Sequence, residues 1–161
     1  MKEQLEKIRL QARKTMDSMS DIVWSLNPRY DNFENIHIKM KQFSSETCET
    51  QQINLIFQIP ENLEGIKLAA DKRKNIFLIF KETINNAVKY SKGNTIRVEF
   101  SIFNQYFKMT ISDNGKGFDQ QEVRMGNGLK NMADRAKNIN ANLIISSLPG
   151  NGTTLELSCP V

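Results

Sequence analysis

At 161 residues, with 39% hydrophobic and 25% charged residues, the chain can bury one self-supporting core but is short for a second domain, and its composition excludes a disordered class. A net charge of +4, with no stripe of Lys and Arg interleaved with aromatics, argues against nucleic-acid binding. No apolar run approaches the roughly 20 residues of a membrane span, residues 1–10 lack the apolar core of an export signal, and Cys48 and Cys159 form no CxxC or Cys/His pattern, so a reduced, cytoplasmic protein is expected.

Between residues 2 and 26, apolar side chains at Leu5, Ile8, Ala12, Met16, Met19, Val23 and Leu26 recur every three or four positions and predict one striped helix. It would be roughly 38 Å long, and Asn27-Pro28 ends it, because a residue before proline avoids helical geometry. Such a stripe needs cover, either from its own domain or from the other half of a helical hairpin. Asp31 and Glu34 form a capping box for a second helix carrying Phe33, Ile36, Met40 and Phe43 to near Cys48. Residues 53–59 read as a strand closed by Pro60, and ENLEG as a turn.

Asp71 is a plausible cap for a long helix with Ile76, Phe77, Phe80, Ile84, Ala87 and Val88 inside, stopped at Gly93. Strands at 95–103 and 107–112 flank a turn at Asn104-Gln105. A helix at 129–138 precedes strands at 142–148 and 153–158 around PGNG. The implied fold is α/β in the α+β sense, a two-layer sandwich of a mixed, mostly antiparallel sheet with helices on one face, preceded by the N-terminal helix.

Three stretches carry chemistry. KETINNAVKYSK (81–92) sets Glu82, Asn85, Asn86 and Lys89 into an otherwise apolar helix. Glu82 and Asn86 share a face, with Lys89 and Tyr90 three and four residues further on. The carboxylate can orient or deprotonate a nucleophile, and the amide oxygen suits magnesium. Lys89 can reach a phosphate and Tyr90 can cover a purine. Taken alone, the pattern equally fits an exposed polar helix face. DNGKGFD (113–119) follows a strand. Gly115 and Gly117 admit close backbone approach, and Asp113 can accept from an exocyclic amine such as that of adenine, although Asp-Asn-Gly is also an ordinary turn. Gly126 and Gly128 in MGNGLKNM stand before a helix, where N–H groups and the helix dipole favour an anion; a single GxG is weak evidence.

In order, the ExxxNAVKY helix, two strands, DNGKGF, a short loop, GNGL opening a helix and GNGTT in the last hairpin resemble the ATPase superfamily of gyrase, the heat-shock chaperones, histidine kinases and mismatch-repair ATPases. NNAVKYS with GNGLKNM looks most like bacterial two-component sensor histidine kinases with a short lid over the nucleotide. The resemblance covers roughly residues 53–161 and implies ATP and Mg2+ as cofactors. By it, Asn86 would hold magnesium, Glu82 would position the nucleophile with Asn85 nearby, Lys89 would face the phosphates and Tyr90 the adenine. Asp113 would take the adenine amine, helped by Gly117, with Gly115 and Phe118 in the same loop. Gly126, Gly128 and Leu129 would wrap the phosphates, and Thr153 would stand near the base. The lid between Phe118 and Gly126 would be ordered by nucleotide.

MSDIVWSLNPRYDNFENIHIKMKQF (19–43) resembles the segment that joins the second dimerisation helix of such kinases to the catalytic domain. That implies a remnant of the dimerisation and phosphotransfer domain over 1–28 and an ATP-binding domain over 29–161. The expected phosphoacceptor, a histidine followed by an acidic residue, is absent. His37, the only histidine, is followed by Ile38 and reads as a packing residue. The resemblance therefore implies a fragment that transfers the γ-phosphoryl group to a histidine outside it, partnered by the parent kinase's dimerisation domain and, downstream, a response regulator. It leaves open a homodimer through the N-terminal helix and an inner-membrane anchor on the parent, with no nucleic acid and no membrane contact by these residues. A nucleotide-binding regulatory module without phosphoryl transfer, or a serine kinase or other ATPase of the superfamily, is the alternative.

Overall fold

The computed structural model describes residues 2–60, 66–119 and 127–161. Its elements are α1 (Lys2–Leu26), a 3-10 turn (Pro28–Tyr30), α2 (Phe33–Glu49), β1 (Asn54–Gln58), α3 (Ala70–Asn86) continued by a π-helical turn (Ala87–Ser91), β2 (Thr95–Phe103), β3 (Tyr106–Asp113), α4 (Asn127–Asn138), β4 (Asn142–Ser147) and β5 (Thr153–Pro160). The strands form one sheet in the order β1-β2-β3-β5-β4. Only β1 and β2 run parallel; the other neighbours are antiparallel, as the sequence of elements predicts.

Ile96, Val98 and Phe100 of β2, Phe107, Met109 and Ile111 of β3, and Leu155, Leu157 and Cys159 of β5 are all buried, each alternating with a more exposed neighbour. Side chains alternate faces along a strand, and the register keeps the alternations in phase: Val98 faces Ile111, which faces Leu155. The helices cover this surface. Phe33 of α2 rests on it with its ring centre 5.5 Å from Phe100 and 5.1 Å from Phe107. Ile76, Ile79, Phe80 and Ile84 of α3 and Met132 and Ala136 of α4 complete the core, each large side chain contributing about 2 kcal/mol by leaving water. On the opposite face Lys108 and Glu156 pair at 2.8 Å.

Several boundaries differ from the sequence-based expectation by a residue or two, and three helix ends differ in what caps them. Asn32, not Asp31, caps α2, and it does so without a side-chain hydrogen bond. The chain entering α2 is extended and bridged to the segment before α3. Asn32 pairs with Lys67, Phe33 N–H donates to Ile66 O and Leu68 N–H to Asp31 O, while the Asp31 carboxylate lies 3.8 Å from Lys67. Asp71 falls in the first turn of α3, whose cap is Ala69. The buried Arg73 holds that entry by donating to Leu68 O at 2.7 Å and Asn27 O at 3.2 Å. At the far end the left-handed residue is Lys92, φ 57, rather than Gly93. The ENLEG turn lies outside the described residues.

The stripe of α1 is not what docks it. Leu5, Ile8, Met16, Met19, Val23 and Leu26 are all 55–68% exposed. The helix packs on α3 through Asp21 and Trp24 instead. Asp21 is only 8% exposed and meets Lys39 of α2 at 3.0 Å and Lys81 of α3 at 2.5 Å. Lys39 also lies 4.3 Å from the centre of the Trp24 ring and Lys81 5.0 Å from that of Phe43, contacts that attract a partly desolvated cation. Trp24 itself stacks on Tyr30 and touches Phe77. Among the described residues no helix is long and apolar enough to cross a membrane.

Candidate functional site

A cavity of about 480 Å³ opens between α3, the first turn of α4 and the ends of β3, β4 and β5, a volume in the range of small-molecule sites. Ile111, Ile145, Leu155 and Met132 make its walls apolar. Along α3 it is lined by pairs: Glu82 and Thr83, Asn86 and Ala87, Tyr90 and Ser91. Pairs four residues apart drift off one face of a regular 3.6-residue helix. The π-helical turn at Ala87–Ser91 winds more loosely and takes up that drift, a device found often at functional sites. The same turn moves Lys89 away. Seven residues beyond Glu82, it would return to the same face of an unbroken α-helix, but here it is exposed and outside the lining; Asn85, half-buried, is outside it too.

The two ends of the cavity differ in chemistry. At one end stand Glu82 and Asn86, against the first turn of α4. A Cβ on Gly128 would collide with the Glu82 carboxylate oxygen, so only glycine lets the carboxylate lie against that turn. Asn127 and Leu129 line the same region, where the N–H groups and dipole of a helix start favour negative charge. Gly126 lies outside the described residues, as does the segment expected to form the lid beyond Asp119.

At the other end is Asp113, the last residue of β3. The Gly115 amide donates to its Oδ1 at 2.9 Å. Burial pushes its carboxyl above the usual carboxylate range, against the pull of the Gly115 and Thr153 amides. The glycines around it serve close approach rather than a simple turn. A Cβ on Gly115 would strike Ser91 O, and one on Gly117, φ +60, would strike Leu148 O. Lys116 N–H donates to Ser91 O at 2.7 Å, and Gly150 N–H to Lys116 O at 2.6 Å, so the loop is clamped between the π turn and the β4–β5 turn. Asn114 Oδ1 accepts the amides of Asn94 and Thr95, both at 3.0 Å, which ties the same loop to the start of β2.

Of the residues singled out in the sequence, Glu82, Asn86, Tyr90, Asp113, Gly117, Phe118, Gly128, Leu129 and Thr153 line one cavity. Gly115 supports it from behind. Tyr90 stands at the rim, 63% exposed. Sequence reasoning missed Thr83, Ser91 and Lys116, which also line it. Lys116 was in plain view inside DNGKGF; Ser91 enters only through the π turn. His37 lies elsewhere, on α2, with its ring 5.9 Å from that of Phe33 and its pKa lowered by burial.

The model of the histidine kinase-, DNA gyrase B-, and HSP90-like ATPase family matches residues 71–161. The chain is 35% identical over 105 residues to the sensor protein VraS of Staphylococcus saprophyticus, a match covering 65% of this chain and 30% of that protein. With VraS of Staphylococcus haemolyticus it shares 38% over 108 residues, covering 65% and 28%. The chain thus spans about 30% of the length of the curated relatives it matches. Among solved structures, the histidine kinase domain of the Erythrobacter litoralis EL346 blue-light activated histidine kinase superposes with a TM-score of 0.70 at 16% identity, covering 96% of this chain and 84% of that one. Acinetobacter baumannii histidine kinase AdeS superposes at 0.69 and 14% identity, covering 99% and 82%. These two likenesses are of fold.

Proposed function

The chain belongs to the histidine kinase-, DNA gyrase B-, and HSP90-like ATPase family, and we propose that it is the MgATP-binding catalytic domain of a sensor histidine kinase, acting on a histidine outside these residues. One observation carries the reading. A single cavity has a half-buried, oriented carboxylate, Asp113, at one end, and at the other Glu82 and Asn86 against a helix start. A nucleotide offers the matching pair of ends, an amine-bearing base and an anionic phosphate chain.

In this reading Asp113 accepts the base amine, Gly117 and Thr153 border the base, and Tyr90 closes the rim. Gly128, Leu129 and the α4 start receive the phosphates through backbone N–H groups. The donor set fits a magnesium ion bound jointly with phosphates: Asn86 offers one neutral oxygen, and among the described residues no cluster of three acidic, His or Cys side chains could hold a metal alone. When bound, the ion offsets phosphate charge as the γ-phosphoryl group leaves. Glu82, held beside Gly128, orients the incoming imidazole and takes its proton. Lys89 and Asn85, turned out of the cavity, have no part in this assignment. His37 packs against Phe33, which supports an acceptor on the dimerisation domain of a longer parent, with a response regulator downstream and α1 as the remnant of that domain.

Calorimetric titration of the purified chain with MgATP tests the reading. Saturable binding that is lost in Asn86→Ala and absent with GTP is expected. Equal binding of GTP, or full affinity in Asn86→Ala, would overturn it.

A further inference from the structure

We propose that Ser147, outside the cavity, fixes the direction of the hydrogen bonds at its base end and so makes the site prefer a 6-amino over a 6-oxo purine. The proposal rests on the nucleotide reading and adds a positioning residue to it.

Ser147 ends β4 and is 8% exposed. Its hydroxyl touches three groups on two loops. Phe118 N–H donates to Oγ at 2.9 Å, Oγ donates to Gly152 O at 2.9 Å, and Thr153 Oγ1 lies 2.9 Å away. A hydroxyl has one proton to give and two lone pairs to receive with. The Gly152 carbonyl can only accept, so the Ser147 proton goes there. Phe118 N–H takes one lone pair. The Thr153 contact must then run from Thr153 to Ser147, and with that the Ser147 hydroxyl is fully used.

The consequence falls on Thr153, which does line the cavity. Its proton is committed behind the wall, so toward a ligand its oxygen can act as an acceptor only. Asp113, its partner across the β3–β5 ladder, is likewise an acceptor when ionised. Two acceptors side by side suit an exocyclic amine, which has two N–H groups, and repel a carbonyl in its place. Gly152 holds the arrangement tight, since at φ +72 a Cβ there would strike Asp113 O. Without the Ser147 hydroxyl, Thr153 is free to rotate and donate, and the wall loses its discrimination.

The test compares MgATP with MgITP, which carries a carbonyl at position 6 on the same ribose triphosphate, by calorimetry. The unaltered chain is expected to bind ATP at least tenfold more tightly than ITP. In Ser147→Ala, ATP affinity should fall about tenfold, the net worth of one hydrogen bond, while ITP affinity holds or rises, so the ratio collapses. Ser147→Thr, which restores a hydroxyl, should recover the ratio. Should the alanine variant not fold, Ser147→Cys keeps the volume, weakens the bonds and is read by the same ratio. A proportional loss for both nucleotides, leaving the ratio intact, would make Ser147 a purely structural residue and overturn the proposal. So would an unaltered chain that binds ATP and ITP alike, with the nucleotide site still standing. Binding of neither nucleotide would instead overturn the nucleotide reading, and this proposal with it.

Discussion

Replacing Asp21 by asparagine measures how firmly α1 is fastened to the rest of the chain. The carboxylate is 11% exposed at the side chain, and Lys39 and Lys81 are 23% and 21% exposed. Removing one member of a fully buried ion pair costs about 3–5 kcal/mol, because the partner charge is left uncompensated. An exposed pair contributes roughly 0–1 kcal/mol. This cluster lies between the limits, and its lysines retain their aromatic contacts, so Asp21→Asn is expected to cost about 2 kcal/mol. Part of that cost is two lysines left facing each other. Lys81→Met should therefore be less harmful when combined with Asp21→Asn than when made alone, giving a coupling of ~1 kcal/mol in a double-mutant cycle. Urea unfolding supplies the free energies, and hydrogen exchange over 19–26 reports whether the end of α1 opens first. A loss below ~0.5 kcal/mol, or one that disappears at moderate salt as for a surface pair, would refute the view that the cluster is desolvated and holds the helix.

Two further substitutions bear on the cavity. Asp113→Asn should abolish detectable ATP binding by calorimetry while raising thermal stability slightly at neutral pH. The sign follows from the raised pKa. A carboxyl that holds its proton more tightly folded than unfolded adds stability at acid pH, and that gain is lost as pH rises through the folded value. In the unaltered chain ATP affinity should fall as pH is lowered through the same window, because the protonated carboxyl no longer offers only acceptors; a flat profile would speak against Asp113 as the base contact. Gly128→Ala should leave melting unchanged or raise it by up to ~1 kcal/mol of helix propensity, yet slow phosphoryl transfer in a longer parent by more than tenfold, because the new methyl displaces the Glu82 carboxylate. An unchanged transfer rate would remove Glu82 from the chemistry.

The alternation in β2, β3 and β5 and the glycines at 115, 117 and 128 were legible because each is a local constraint: a two-residue period, or a backbone that must pass within contact of another atom. Caps were less legible. Asp31 and Asp71 have capping chemistry, but an extended bridge between residues 32 and 67 and the anchored Arg73 fix the two helix starts one or two residues away. Lys89 shows the same limit inside the site. Its spacing from Glu82 is right for a uniform α-helix, and no local signal in AVKYS announces a π turn. Ser147 and Lys116 were passed over because a serine in a strand and a lysine in a turn are ordinary until the loops close around them. The apolar stripe of α1 is legible as a stripe, but pattern alone does not show that the helix docks by its other side.

The loose turn at Ala87–Ser91 also governs how this helix tolerates changes in length. Rewind those five residues as ordinary α-helix without changing their number, and their hydrogen bonds are better aligned. Each residue then advances the winding by about 100°, so Tyr90, eight residues beyond Glu82, and Ser91 would swing off the cavity wall and the grip of Lys116 on Ser91 O would break. Locally the regular helix would be the sounder one. The wall requires the looser, and it is a shortening by one residue, not a straightening at full length, that a regular helix could absorb while still facing the cavity.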